Sequence, residues 1–267
     1  MAFIRTWFSA KQLENLTVSS HSTLAMNGQS QPVVLVTGAA GGLGRAAVTR
    51  LRERRMRVVA TDLALAEIPC GAPLDVISLN VTDEAAIDAV VTEVRARHGR
   101  IDHVVHLAGA AGEGPLDRVS VDEWNRLLAV NLTSAFMLAK AVHASLADSH
   151  GSLILTSSTN GLNGGSSLSG PAYAVAKAGL INFSRYLAKE WAAEGIRVNC
   201  LAPGPIDTPM VSGRFPGETL DRLRRSVPLG MIGTPEQVAH AIDYLLSPAA
   251  AFITGTVMNI SGGLVLD

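Results

Sequence analysis

Tyr173 and Lys177 stand four residues apart in the stretch Pro171-Ala-Tyr-Ala-Val-Ala-Lys177. The stretch reads as the start of a helix, because proline is favoured in a first helical turn, and the spacing puts both side chains on one helical face. A free phenol, with a pKa near ~10, is a poor acid–base catalyst at neutral pH. An ammonium one turn away favours the phenolate and is expected to pull that pKa down toward a useful range. Ser158 follows the apolar run Gly151-Ser-Leu-Ile-Leu-Thr-Ser157, the pattern of a buried strand. From the strand end its hydroxyl could donate to a substrate oxygen shared with Tyr173. Together the three describe proton transfer at a substrate oxygen. Tyr-x-x-x-Lys by itself is weak, since a surface lysine beside a half-buried tyrosine has the same spacing.

The elements that must position these groups begin at Pro32. Val33-Val34-Leu35-Val36 is a continuous apolar run, as in a strand covered on both faces. Thr37-Gly-Ala-Ala-Gly-Gly-Leu-Gly44 follows directly, then an Ala/Leu/Arg helix over about 43–54. Glycine at this junction lets the backbone pass close to a pyrophosphate, and the helix N-terminus offers free N–H groups and positive partial charge. Gly38, Gly41, Gly42, Leu43 and Gly44 are therefore candidate cofactor-binding residues; the plainer reading is a tight turn. Asp62 ends a second strand, Val58-Val59-Ala60-Thr61, about eighteen residues past Gly44. A carboxylate there can accept hydrogen bonds from both ribose hydroxyls of an adenosine and would repel a 2′-phosphate, which favours NAD over NADP. Leu63 and Ala64 supply no cation to reverse that preference. A capping or turn aspartate is the alternative.

Strand and helix patterns alternate to the end: strands around 103–107, 153–156, 196–201 and 257–260, helices over 83–98, 121–147, 173–193 and 235–246. No internal repeat or linker interrupts them. The fold expected is a single-domain α/β, Rossmann-type, doubly wound parallel sheet with helices on both faces, over 32–267. A chain of 267 residues is ample for one such core, and 48% of it is apolar with a net charge of −1. No long-range field invites nucleic acid or an anionic membrane, and no run of consecutive apolar residues approaches spanning length. The two cysteines, Cys70 and Cys200, lack metal-ligand spacing and fit a reducing, cytoplasmic compartment. No metal site is expected. Residues 1–31 differ in character. Phe3, Ile4, Trp7, Phe8, Leu13 and Leu16 could line a short helix before a Ser/Thr/His/Asn-rich stretch. The segment reads as a loosely ordered extension, an arm on a partner subunit or a targeting segment, and Met26 could be the biological start.

Taken in order, the glycine-rich Thr37–Gly44, acidic Asp62, Asn131 in Val-Asn-Leu, Ser158, Tyr173 and Lys177 resemble the short-chain dehydrogenase/reductase family. Pro203-Gly204, Thr208 and a C-terminal Gly262-Gly263 extend the match. The resemblance implies Tyr173 as acid–base catalyst and Ser158 as the group that orients and polarises the carbonyl or alcohol. It implies that Lys177 holds the nicotinamide ribose and lowers the tyrosine pKa, while Asn131 positions Lys177 through water. Pro203 and Gly204 would border the nicotinamide, with Ile206 and Thr208 at its carboxamide. Asn80 and Val81 would sit at the adenine. Where the family usually reads Asn-Asn-Ala-Gly, this chain has His106-Leu-Ala-Gly109. Ala108 and Gly109 still leave room for the adenosine side. His106 either replaces the strand-tying asparagine with a ring nitrogen or loses the tie, and His103, three residues away on a strand, faces the other side.

The activity expected is reversible interconversion of a free, small-to-medium secondary alcohol, cyclic ones included, and its ketone, with NAD, by a homotetramer or dimer. A 3-oxoacyl-acyl-carrier-protein reductase and a non-catalytic NAD sensor are the alternatives. Carrier-dependent relatives tend to place basic residues before the glycine ending the Tyr-Lys helix and before the strand leading to the serine; here those places hold Glu194 and Asp148-Ser149-His150. No Gly-x-Ser-x-Gly elbow occurs, which removes an α/β hydrolase. The segment 205–233, with Met210, Phe215, Leu220, Arg222, Arg224 and Arg225, looks like the family's mobile lid over the substrate, its arginines a solvated helix face rather than the alternative, an anion clamp.

Overall fold

The structure, a computed structural model, describes residues 31–69, 71 and 74–266. The expectations for residues 1–30 and for Cys70 lie outside the described residues. Seven parallel strands form one sheet: β1 (Val33–Thr37), β2 (Arg57–Asp62), β3 (Leu74–Ser78), β4 (His103–His106), β5 (Ser152–Thr156), β6 (Arg197–Pro203) and β7 (Val257–Ile260). Their order is β3-β2-β1-β4-β5-β6-β7. The helices are α1 (Gly42–Glu53), α2 (Glu84–His98), α3 (Val121–Leu128), α4 (Ser134–Ser149), α5 (Thr159–Asn163), α6 (Pro171–Trp191), α7 (Gly217–Ser226) and α8 (Pro235–Leu246). The doubly wound sheet expected from the alternation is present.

Period-two alternation divides the core. Val33 and Leu35 face one side with Val59, Val104 and Leu153, packed by α2, α4 and α6 through Val94, Leu138, Val142 and Leu180. Val34 and Val36 face the other with Val58, Val105 and Ile154, covered by α1 and α8 through Val48, Leu51, Val238 and Ile242. Burial on both faces is why these strands read as unbroken apolar runs. The edge strand β3 escaped that pattern because it is half-exposed, with Val76 facing outward. The continuous helical run Val121–Ser149 is long and apolar enough, by length and composition, to cross a membrane. Its apolar residues are spread around interrupting polar ones, and Ala135, Leu138, Ala139, Val142 and Leu146 are packed into the core. Cys200 is fully buried and its thiol is pushed up to about 11 by desolvation, which leaves it inert near neutral pH.

Strand order reverses about β1, whose neighbours are β2 and β4, and it is outside the carboxyl ends of such strands that a crevice opens. There Thr37 Oγ1 meets His106 Nδ1 at 2.7 Å, and His106 Nε2 meets Ser134 Oγ at 3.1 Å. Ser134 spends its proton on the Val130 carbonyl at 2.7 Å. Its oxygen must therefore accept from Nε2–H, which leaves Nδ1 to accept the Thr37 proton. The tie between strands is kept with a ring nitrogen and runs on into the helix layer. His103 instead meets Ser152 Oγ at 2.9 Å on the other side, so the two histidines form no metal pair.

Burial pushes His106 from its ordinary 6.5 down to about 3, with the Lys177 ammonium acting in the same direction. His103 is lowered to about 4 by burial. Above pH ~6.5 neither group distinguishes folded from unfolded chain. Below it the unfolded chain takes up a proton that the fold refuses, so each contributes a loss of about 1.4 kcal/mol per pH unit until its folded pKa is reached. Denaturant unfolding at pH 7 and pH 5 should show His106 accounting for about 2 kcal/mol of the acid loss. His106→Asn should remove that share, and His106→Leu should lower stability already at pH 7. An acid slope untouched by His106→Asn would contradict the assignment.

Candidate active site

A cleft of about 930 Å³ lies along the carboxyl ends of the strands. Every residue singled out from the sequence as catalytic or cofactor-binding lines it. At one end, the turn from β1 into α1 is packed too tightly for side chains. A Cβ added to Gly38, whose φ is +69°, would lie 2.5 Å from the Ala108 nitrogen. One added to Gly44 would lie 2.0 Å from the Gly38 carbonyl oxygen, and one on Gly42 2.6 Å from Thr208 Cγ2. Gly41 caps α1 without a side-chain bond, so the first helical turn presents backbone to the cleft beside Leu43. This cradle of bare backbone fits a pyrophosphate.

Asp62, at the end of β2, is held by three backbone amides: Ala40 at 3.0 Å on Oδ2, with Leu63 at 2.7 Å and Ala64 at 3.2 Å on Oδ1. It is both the turn aspartate and the cleft carboxylate, because a carboxylate has about four acceptor positions and three are used. Arg45 and Glu67, paired at 3.1 Å, line the same end. Neither was singled out beforehand, and only the place of Arg45 next to Gly44 could have signalled it. Asn80 turns its side chain onto Thr82, accepting from N at 3.1 Å and Oγ1 at 2.8 Å, with Val81 buried beside it. The cleft wall continues through Leu79, Asn80 and Val81.

The other end is assembled from β5, α6 and a π-helical turn, Ala129–Thr133, joining α3 to α4. The turn carries Asn131 fully buried, its Nδ2 donating to the carbonyls of Ala110 (2.8 Å) and Leu127 (2.9 Å), while its Oδ1 accepts from Ala110 N (3.2 Å). A Cβ on Gly109 would lie 2.7 Å from Asn131 Oδ1 and 3.3 Å from Lys177 Nζ, so glycine there lets the two side chains flank one point of backbone. Lys177 Nζ donates to the Thr156 carbonyl at 2.8 Å, and burial lowers its pKa to about 8. Ser157 also lines the cleft but commits its proton to the Lys177 carbonyl at 2.6 Å, which leaves the Ser158 hydroxyl as the available one of the pair. Ser158 accepts from Asn160 N at 3.2 Å, capping the short helix α5, and its hydroxyl favours the phenolate form of Tyr173.

One expectation is corrected here. The Tyr173 phenol lies above its ordinary 10, because burial outweighs the Ser158 hydrogen bond that favours the phenolate. Lys177 Nζ sits 5.4 Å from the centre of the Tyr173 ring, over the face rather than at the oxygen. Helical spacing brought the two together but could not report desolvation.

The residues expected at the nicotinamide come from the end of β6 and the segment after it. Pro203 and Gly204 line the cleft, and a Cβ on Gly204 would stand 3.0 Å from Ser261 Cα. Ile206 bridges Gly233, and Thr208 Oγ1 donates to the Ile206 carbonyl at 3.3 Å. Beyond them the wall is apolar, with Leu168, Met210, Val211, Phe215 and Leu223 beside Asn160, Ser166 and Ser169. Arg222, Arg224 and Arg225 are exposed on α7, as expected of a solvated face. The arginine beside these apolar groups is Arg214, which no spacing marked. Glu194 and Asp148 lie before β6 and β5, bonded to His143 (3.0 Å) and Arg95 (3.1 Å) respectively. That is a strand's length, on the order of 15 Å, from the cleft of the same chain. Their charge therefore bears on a visitor to the mouth only through a partner subunit.

Residues 38–265 match the family model described as enoyl-(acyl carrier protein) reductase. The chain is 38% identical over 244 residues to the 3-oxoacyl-[acyl-carrier-protein] reductase FabG of Escherichia coli, covering 88% of this chain and 97% of that one. It is 36% identical over 244 residues to cis-4-hydroxycyclohexanecarboxylate dehydrogenase of Sinomonas cyclohexanicum, covering 88% and 96%. Among solved structures, the ligand-free aldohexose dehydrogenase of Thermoplasma acidophilum superposes with a TM-score of 0.80 at 28% identity, covering 88% of this chain and 94% of that one. With a parallel sheet of this order, a glycine cradle fitted to a dinucleotide and a match along nearly its whole described length, the chain belongs to the short-chain dehydrogenase/reductase family of nicotinamide-dependent oxidoreductases.

Proposed function

We propose that the protein interconverts a free secondary alcohol and its ketone, with NAD as the coenzyme. The observation that carries this reading is that Ser158, Tyr173 and Lys177 line one cleft, with Lys177 Nζ 5.4 Å from the centre of the half-buried Tyr173 ring. A nicotinamide, when bound, accepts or returns the hydride; the residues of this chain govern the proton and the orientation. Ser158, with its oxygen fixed by Asn160 N, has a proton to direct at a substrate oxygen lying beside the phenol. Tyr173, neutral at pH 7, donates to that oxygen as a carbonyl is reduced and must lose its proton before it can take one from an alcohol. Asn131 and Lys177 hold the floor, each fixed to backbone carbonyls. Asp62, anchored by three amides, keeps acceptor capacity for ribose hydroxyls and sets a negative charge where a 2′-phosphate would come.

The 3-oxoacyl-[acyl-carrier-protein] reductase relative favours a second reading, reduction of a carrier-bound ketone. Glu194 and Asp148 oppose an acidic carrier only where a partner's edge borders the mouth. A homotetramer or dimer is the state inferred, supported by Phe136 on α4 and by Val175 and Tyr186 on α6, large apolar groups left half-exposed. A cytoplasmic setting is inferred from the spare use of cysteine.

An assay of NAD(H) absorbance with secondary alcohols, free ketones and acetoacetyl-carrier protein tests the main reading. Free alcohols should be oxidised faster as pH rises from about 7 to about 9, following loss of the Tyr173 proton, and Tyr173→Phe should cut turnover ~10²–10⁴-fold with coenzyme binding intact. Efficient, salt-sensitive reduction of the carrier-bound ketone would establish the second reading, and coenzyme binding without turnover would mean a sensor. For the coenzyme, kcat/KM should favour NAD. Asp62→Ala with Leu63→Arg should shift the NADP/NAD ratio upward by ~10–100-fold, the effect of replacing a repulsion with a charge-assisted hydrogen bond. A wild-type preference for NADP would refute the reading of Asp62. Light scattering at micromolar concentration should show an oligomer, and a stable monomer would overturn that inference.

A further inference from the structure

Charge in the cleft is sparse and unevenly placed. Among the described lining residues, Arg45, Asp62 and Glu67 gather at the adenosine end and Lys177 is committed to the Thr156 carbonyl. At the substrate end of the cleft the charged side chain is Arg214, which also borders a smaller adjoining pocket lined by Glu113, Glu123 and Arg126. Arg214 Nη2 donates to the Gly112 carbonyl at 2.6 Å and to Glu113 Oε2 at 2.9 Å, and its Cζ lies 5.4 Å from the centre of the Phe215 ring. A guanidinium has five N–H donors, so most of the fork is left for another acceptor. The two partners differ in kind. The Gly112 carbonyl is backbone and fixes the head, whereas Glu113 is 77% exposed, and a pair with so exposed a partner is screened by solvent and weak. Glu113 is a counter-ion that a ligand carboxylate can displace.

The head is also registered against the catalytic tyrosine. Gly112 and Glu113 pack on the loop leading into α6: Gly114 N donates to the Ser167 carbonyl at 2.8 Å. A Cβ on Gly112 would lie 3.1 Å from the Ser169 oxygen, and one on Gly170 3.0 Å from Glu113 N. The separation of guanidinium and phenol is thus set by backbone contact between two loops. We propose that Arg214 determines specificity by binding a carboxylate on the side of the substrate remote from the reacting carbon, so that the substrates are hydroxy acids and keto acids of small, largely apolar skeleton. The identity of the reacting group rests on the alcohol–ketone reading above; the anion site does not.

Calorimetric titration of the protein with cyclohexanecarboxylate and with cyclohexanecarboxamide, in saturating NADH, tests the site without turnover. The carboxylate should bind ~10–100-fold more tightly, the range of a charge-assisted hydrogen-bonded pair. That ratio should fall to near one in Arg214→Met, be intermediate in Arg214→Lys, and rise in Glu113→Gln. In turnover, the kcat/KM ratio of 4-hydroxycyclohexanecarboxylate to 4-methylcyclohexanol should collapse in Arg214→Met through KM. Arg214 also ties the segment after β6 to Gly112; were that its whole role, both ligands would weaken equally and the ratio would hold, which would overturn the proposal. So would the absence of a carboxylate preference in the wild type. Should neither alcohol be oxidised while the binding ratio behaves as expected, the alcohol–ketone reading fails and the anion site stands.

Discussion

The hydrogen-bond chain Thr37–His106–Ser134–Val130 is the constraint on which both ends of the cleft depend. Thr37 ends β1 and starts the glycine turn; Val130 lies in the π-helical turn that carries Asn131. The chain has one direction, since each hydroxyl and the ring have a single proton to give and each gives it onward. A fully satisfied network whose side chains are buried fixes relative positions to within hydrogen-bond tolerance, because any slip leaves a buried polar atom unpaired. It also requires a neutral imidazole, which desolvation guarantees.

From that anchor, absence of side chains does as much as their presence. Gly38 meets Ala108, Gly42 meets Thr208, and Gly109 lies between Asn131 and Lys177. Three segments far apart in sequence thus meet backbone to backbone or backbone to functional group. The cleft is the space left outside those contacts, with polar anchors along its floor and apolar groups around the mouth.

Desolvation then decides the electrostatics. Both Tyr173 and Lys177 move toward their neutral forms, the phenol upward and the ammonium down to about 8. The Coulombic help that one-turn spacing promises is smaller than the cost of charging a phenol away from water. The site is therefore poised as a proton donor at neutral pH. Arg214, 24% exposed and paired with Glu113 at 2.9 Å, lines the same cleft.

Most of the cleft was legible in the sequence because its chemistry is carried by local pattern. Buried parallel strands read as unbroken apolar runs, the glycine turn sits where a strand passes into a helix, and Tyr173 and Lys177 share a helix face. Asp62 and Ser158 each stand at a strand end. The half-exposed β3 was not legible, since one side of it faces solvent and breaks the run. Nor were the direction of the Tyr173 shift, the remoteness of Glu194 from its own chain's cleft, or Arg214, and between the two outcomes open for His106 the packing chose the tie. Each depends on which atoms from distant segments come within a few ångströms and on how much water they exclude. Periodicity along a chain carries no record of either; only the folded packing does.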